Sequence, residues 1–255
     1  MLGGIFKFFV YLYYTNTHFM KNKLKISLVL LVVAYYSCST HKSKPSVNDS
    51  QRMTNVTSES FYNIITIKKD EMTFGVSETK PVDSDFYSNS NFFTNEAPIG
   101  LVVVDGKKLN NRSVGGGYFY VKNGKAHVSA KKCPKRVDYA SQTILWAIDN
   151  GVVNEYLLTQ GHSKLKRYRT ILGEDKDGNI VMISSTRLGL VTIKEIIDFA
   201  VSKGITEAIL LDGGASVDYK LTDNDESVSF ESVPEGLKPM FEIKKPTTYI
   251  YGNFN

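Results

Sequence analysis

Asp212-Gly213-Gly214-Ala215-Ser216 is the stretch of this chain whose residue types stand closest to chemistry. A carboxylate can accept a proton, attack a carbon or hold a developing positive charge. Two glycines after it let ligand atoms approach the backbone, whose N–H groups can form a nest for an anion. The same residues also make an ordinary turn, because Asp-Gly is a common turn pair. Taken alone, the five residues leave both readings open.

Other familiar designs are missing their parts. The sequence contains no Gly-x-Ser-x-Gly elbow and no phosphate-binding Walker loop. His18, His41, His127 and His162 are scattered, none at metal-ligand spacing from another, so no metal or cofactor is expected. His127, between Ala126 and Val128, reads as a sheet-face residue, and His162 lies in a polar loop that could approach a site. Cys133 is bordered by Lys131, Lys132 and Lys135, a setting that lowers a thiol pKa. With no base identified beside it, it is taken as structural.

The elements that must position Asp212 are well marked. Thr192 and Glu195 have the spacing of a capping box. Ile193, Ile196, Ile197, Ala200 and Val201 then recur at helical spacing between polar residues, and Gly204 ends the helix. Residues 205–211 read as a short apolar strand that delivers Asp212 to its turn. Upstream, strands dominate. Residues 61–67 and 72–76 suggest one hairpin, residues 115–121 and 126–128 another around Asn123-Gly124, and residues 167–173 and 180–183 a third. Residues 139–149 fit helix or strand, residues 218–233 read as polar and irregular, and residues 247–251 as a last strand. The fold class expected is a single α+β domain: a mixed, largely antiparallel curved sheet with a few flanking helices.

The first residues have a different character. Lys21, Lys23 and Lys25 form a basic region, residues 26–36 an apolar run, and Ser37-Cys38-Ser39 follows. A small residue before a lone cysteine at that place resembles a bacterial lipoprotein processing site, with Cys38 lipidated and the chain anchored in the cell envelope, facing periplasm or exterior. Residues 1–37 are therefore assigned to a leader, with Met20 a candidate start, residues 38–60 to a Ser/Thr/Asn/Lys-rich tether and residues 61–255 to the domain. The formal charge is +5, but four of the 31 basic residues and no acidic one precede Cys38. After it, 27 basic residues face 26 acidic ones, and no basic field remains to argue for nucleic acid.

Four separated blocks then resemble one family. Asn89-Ser90-Asn91-Phe92-Phe93 with Pro98-Ile99-Gly100, Ser141-Gln142-Thr143, Arg169-Thr170-Ile171-Leu172-Gly173 with Asp177-Gly178, and Leu211-Asp212-Gly213-Gly214-Ala215-Ser216 occur in the order found in the phosphodiester glycosidases. The resemblance spans residues 60–252. It implies hydrolysis of a sugar C1–O–phosphate linkage, releasing sugar and a phosphomonoester. It implies Arg169 as the phosphate clamp, because a guanidinium offers a planar fork of donors. Asp212 would stabilise or trap an oxocarbenium-like state or activate water, with Glu96 the next catalytic carboxylate. Asn89, Phe93, Gln142, Gly213, Gly214 and Ser216 would line the substrate site. Ser90 and Asn91 stand where the family has two glycines and would narrow the pocket floor. Ala215 and Val217 replace a common third glycine and second serine. The competing readings are an envelope module that binds glycan or phosphoglycan without cleaving it, and a purely structural lipoprotein.

Overall fold

Ile180-Val181-Met182-Ile183 is apolar on both sides of a strand, and so is Ile209-Leu210-Leu211. Side chains alternate across a sheet, so such segments are stable only in a sheet covered on both faces. The computed structural model supplies that sheet. It describes residues 55–59, 61–94, 97–112, 114–223, 226–241 and 246–255; Cys38, Glu96 and the leader lie outside them. Seven strands run in the order Asn55–Glu59, Tyr62–Ile67, Ile180–Ser185, Thr170–Asp175, Ile205–Leu210, Trp146–Asp149, Val152–Val153.

Each face of this sheet has its own core. On one, Ile64, Ile171, Val181, Ile183 and Leu210 pack with Ile193, Ile196, Ile197 and Ala200 of the helix Ile193–Ser202. On the other, Ile65, Leu172, Met182 and Ile209 meet residues of two five-stranded sheets, among them Phe74, Phe86, Phe119, Tyr219 and Ile250. The second sheet is ordered Lys125–Ser129, Tyr118–Lys122, Tyr139–Gln142, Val102–Val104, Lys107–Asn110. The third runs Glu226–Glu231, Asp218–Asp223, Phe86–Asn89, Tyr249–Phe254, Met72–Ser77. Phe93–Thr94 and Ala97–Pro98 form a small separate ribbon.

Every pairing among the described strands is antiparallel, so the sheets are not mixed. The described fold is richer in strand than a balanced α+β domain. It has two α-helices, α1 at Glu155–Thr159 and α2 at Ile193–Ser202. Instead of one curved sheet, three are packed together.

The capping box of α2 is present as expected: Thr192 Oγ1 accepts from Glu195 N, and Glu195 Oε2 accepts from Thr192 N. Gly204 follows at φ 78°. Val201 departs from the expected stripe and is exposed, because it lies on the outer flank of the helix.

The hairpins at Asn123-Gly124 and Asp177-Gly178 are formed. The expected pairing of residues 61–67 with 72–76 is not. Both edges of Tyr62–Ile67 are taken by Asn55–Glu59 and Ile180–Ser185, while Met72–Ser77 joins the third sheet beside Tyr249–Phe254. Ile65 and Ile67 instead face Met72 and Phe74 across a shared core. Strand Asn55–Glu59 also carries regular structure into the range read as tether.

Residues 139–149 hold two strands, and residues 218–231 form a hairpin rather than an irregular stretch. The signal there was period-two alternation, with Tyr219, Leu221 and Phe230 inward and Lys220 between them. Tyr249–Phe254 lies inside the third sheet, between two partners.

Candidate active site

The site forms where the chain leaves the seven-stranded sheet for the third. Past Ile205–Leu210 the backbone stays extended: Leu210 N donates to Leu145 O, Leu211 N to Thr170 O and Asp212 N to Ser90 O, alternating sides. Because Ile171 pairs with Leu210 and Thr170 O accepts from Leu211 N, the antiparallel register sets Arg169 opposite Asp212. Two residues distant in sequence thus arrive at one sheet end by strand pairing alone.

The turn then closes on itself. Gly214 has φ 67°, open to glycine and strained for other residues. Its N–H donates to Tyr168 O at 2.8 Å. A Cβ on Gly213 would stand 2.8 Å from that same carbonyl oxygen, so Gly213 is demanded by the close approach of Tyr168 and Gly214 by its positive φ. The amides of Asp212, Gly214 and Ser216 serve the carbonyls of Ser90, Tyr168 and Gly213. That of Gly213 donates to the Asp212 carboxyl. Most of the turn's N–H groups therefore lock the loop instead of forming the open anion nest the sequence suggested.

Asp212 is partly buried, and its carboxyl pKa is lifted from 3.8 to about 6 by that burial, against hydrogen bonds from the Ser216 hydroxyl and the Gly213 N–H. Opposite it, both side-chain hydrogen bonds of Arg169 leave from Nη2, to His162 O and Leu165 O, each at 3.1 Å. Its Nε is buried with no partner among the described residues. Burial, and then the charge of Arg167, pull the guanidinium down to about 10. His162 is lowered by burial, by Arg169 and by Arg167 in turn. Among the described residues no ion pair joins Arg169 or Arg167 to a carboxylate of the chain.

The other nominated residues take different parts. Asn89 is fully buried; its Nδ2 donates to Asp212 O at 2.7 Å and its Oδ1 accepts from Asp218 N at 3.1 Å. It holds the backbone of the loop instead of facing solvent. Gln142 is also fully buried, with Oε1 accepting from Leu101 N and Val114 N, and Nε2 donating to Val114 O and Tyr118 Oη. Its amide has no group left for a ligand, which corrects its expected place in the site.

Ser90 and Asn91 do not narrow any pocket floor, because both are fully buried. Their side chains, with those of Ser141 and Thr248, form a polar network beneath the loop. Phe93 stands opposite Pro98 in the small ribbon and takes no part in this bonding. Cys133 is pushed up to about 11 by burial, so its lysine neighbours do not activate it.

One residue escaped the sequence reading. Arg167 lies two positions before Arg169 in extended backbone, bridged to Val191, and i, i+2 residues there share a face. Its Cδ is 4.0 Å from where a Cβ would stand on Gly214. The Arg-x-Arg spacing before a strand was the available signal.

Elsewhere, a depression of about 690 Å³, lined by Lys80, Tyr139 and Tyr251 among others, falls on residues outside this constellation. Among the described residues no group of three or more His, Cys, Asp and Glu could hold a metal ion. None of their helices is long and apolar enough to cross a bilayer.

Comparison with known proteins agrees with this picture. A family model described as phosphodiester glycosidase matches residues 77–237, more than half of the chain. No curated protein matches by sequence. Among solved structures, the chain is similar to the zebrafish N-acetylglucosamine-1-phosphodiester alpha-N-acetylglucosaminidase catalytic domain auto-inhibited by its pro-peptide. That match has 15% identity and a TM-score of 0.56, over 76% of this chain and 77% of that one. A hypothetical protein from Synechocystis matches at 12% identity and TM-score 0.51, over 79% of this chain and 61% of that one. At such identities the likeness is one of fold.

Proposed function

Because the chain belongs to the phosphodiester glycosidase family, we propose that it hydrolyses a glycosyl phosphodiester at the sugar C1–O bond, releasing sugar and a phosphomonoester. The observation that carries this reading is the strand register that sets Arg169 opposite Asp212 at one sheet end. Both side-chain hydrogen bonds of Arg169 leave from Nη2, so its other terminal nitrogen has donors available for a phosphate oxygen. A carboxyl that titrates near 6 is ionised at neutral pH and suited to face positive charge developing at C1.

In the reaction, the electron pair of the C1–O bond passes to the phosphate oxygen while water adds to C1 and gives up a proton. Asp212 stabilises or traps the cationic carbon, or takes that proton. The leaving phosphate has a second pKa of about 6, so it departs without a strong general acid. Ser216 and the Gly213 N–H hold the Asp212 carboxyl in position, and Asn89 holds the loop from beneath. Glu96 is retained as a second carboxylate to test. In the cell, the lipoprotein-like leader would place this chemistry in the bacterial envelope, with lipid on Cys38; labelling with radioactive palmitate should be lost in Cys38→Ala.

Incubation of the full chain with a panel of sugar-1-phosphodiesters, following free reducing sugar, tests the activity. Asp212→Asn should abolish turnover while leaving substrate bound. If wild type and Asp212→Asn bind a phosphoglycan equally and neither cleaves any member of the panel, the protein is a binding module and the enzyme reading falls.

A further inference from the structure

The hydrolysis just proposed begins with a phosphodiester carrying one negative charge and ends with a phosphomonoester carrying two. The second charge appears as the C1–O bond breaks, so a cation matched to it acts in the transition state rather than on bound substrate. We infer that Arg167 is that cation: a second arginine which, beside Arg169, neutralises the charge that develops on the departing phosphate.

Four observations place it there. Arg167 and Arg169 are i, i+2 neighbours in extended backbone, and the intervening Tyr168 carbonyl is the group that anchors Gly214. The Arg167 stem reaches to 4.0 Å from the Cβ position of Gly214, two residues from Asp212. The two guanidiniums lie close enough that the charge of Arg167 depresses both Arg169 and His162. Neither has a carboxylate partner among the described residues, and Arg169 Nε is buried without any.

Two like charges held together with no internal counterion are unfavourable. An external anion relieves them. Most of the loop's own amides are engaged with protein carbonyls or with the Asp212 carboxyl, so the charge on such an anion falls mainly to the side chains.

The electron count follows from this. Before bond breaking, one phosphate charge faces Arg169 while the Asp212 carboxylate faces a neutral sugar. As the C1–O bond breaks, the electron pair moves onto the phosphate oxygen, now opposite two guanidiniums. The positive charge left at C1 faces Asp212. Water then bonds to C1 and its proton passes through Asp212 to solvent.

The inference rests on the hydrolytic reading, and its test separates the two. With the full chain at about pH 8, where a monoester is dianionic, calorimetry would compare methyl phosphate with dimethyl phosphate. Wild type should bind the monoester about tenfold more tightly. Arg167→Gln should remove most of that preference while leaving dimethyl phosphate within about threefold of wild type. On a cleaved sugar phosphodiester, the same variant should lower kcat by about 10–100-fold with KM little changed, and Arg167→Lys should recover much of it. Arg167 is exposed, so the variants should fold, which circular dichroism would check.

Equal binding of the two esters by wild type would overturn the role of Arg167, as would an unchanged kcat in Arg167→Gln or an effect confined to KM. If the monoester preference and its loss in Arg167→Gln are found but no sugar phosphodiester is cleaved, hydrolysis fails and the dianion site remains.

Discussion

At the scale of single residues, Asp212 carries the most consequence. Its carboxyl titrates at about 6 in the fold against 3.8 when free, so the folded chain binds the extra proton between those values. Stability contributed by this group is therefore greatest at acid pH and falls as pH rises through that window. At neutral pH the ionised carboxylate destabilises the fold by an amount on the order of 3 kcal/mol. Asp212→Asn should accordingly be more stable than wild type at pH 7, by about 1–3 kcal/mol in urea unfolding, while losing hydrolysis. A less stable Asn variant would mean that the hydrogen bonds from Ser216 and Gly213 outweigh burial. For the same reason, kcat/KM of wild type should rise with pH across about 6. Gly214→Ala forces a side chain to φ 67° and should lower both stability, by about 1–2 kcal/mol, and turnover. Asp212 and Arg169 could be singled out in sequence by residue type, but their meeting at one sheet end comes from strand register that sequence does not state. Gln142 and Asn89 were legible as important but not as buried, since an amide does not reveal in sequence whether its partners are backbone or ligand.

At the scale of elements, local signals were read well and partnerships were not. The capping box, the left-handed Gly204 and the Asn-Gly turn at 123–124 are decided by a few neighbouring residues, and each is found in the structure. Replacing Thr192 with Ala removes the acceptor for Glu195 N and should destabilise the fold by about 1 kcal/mol. Ile197→Ala opens a hole under α2, where the residue is fully buried, and should destabilise it by about 2–5 kcal/mol. Val201→Ser, on the exposed flank, should stay within about 0.5 kcal/mol of wild type. Thermal melts of the three would give that order. The strand partners of Tyr62–Ile67 and Met72–Ser77 were not legible, because an apolar strand states that it needs neighbours without naming them. The choice was made by distant segments competing for the same edges.

At the scale of the whole molecule, three sheets are stitched from non-adjacent segments. Tyr62–Ile67 pairs with Ile180–Ser185, and Met72–Ser77 pairs with Tyr249–Phe254. Such long-range closure is slow, so refolding monitored by the single tryptophan, Trp146, should fall in milliseconds to seconds rather than microseconds. The loop holding Asp212 is the passage from the seven-stranded sheet to the third sheet, and the Asn89 amide, which grips that loop, belongs to the third sheet. Arg169 belongs to the first. The alignment of Asp212 with Arg169 is therefore a property of the seam between two layers, owned by neither. Denaturant that merely parts the layers should silence the proposed turnover while each sheet keeps its far-ultraviolet signature, so that activity would gauge the closure of the seam.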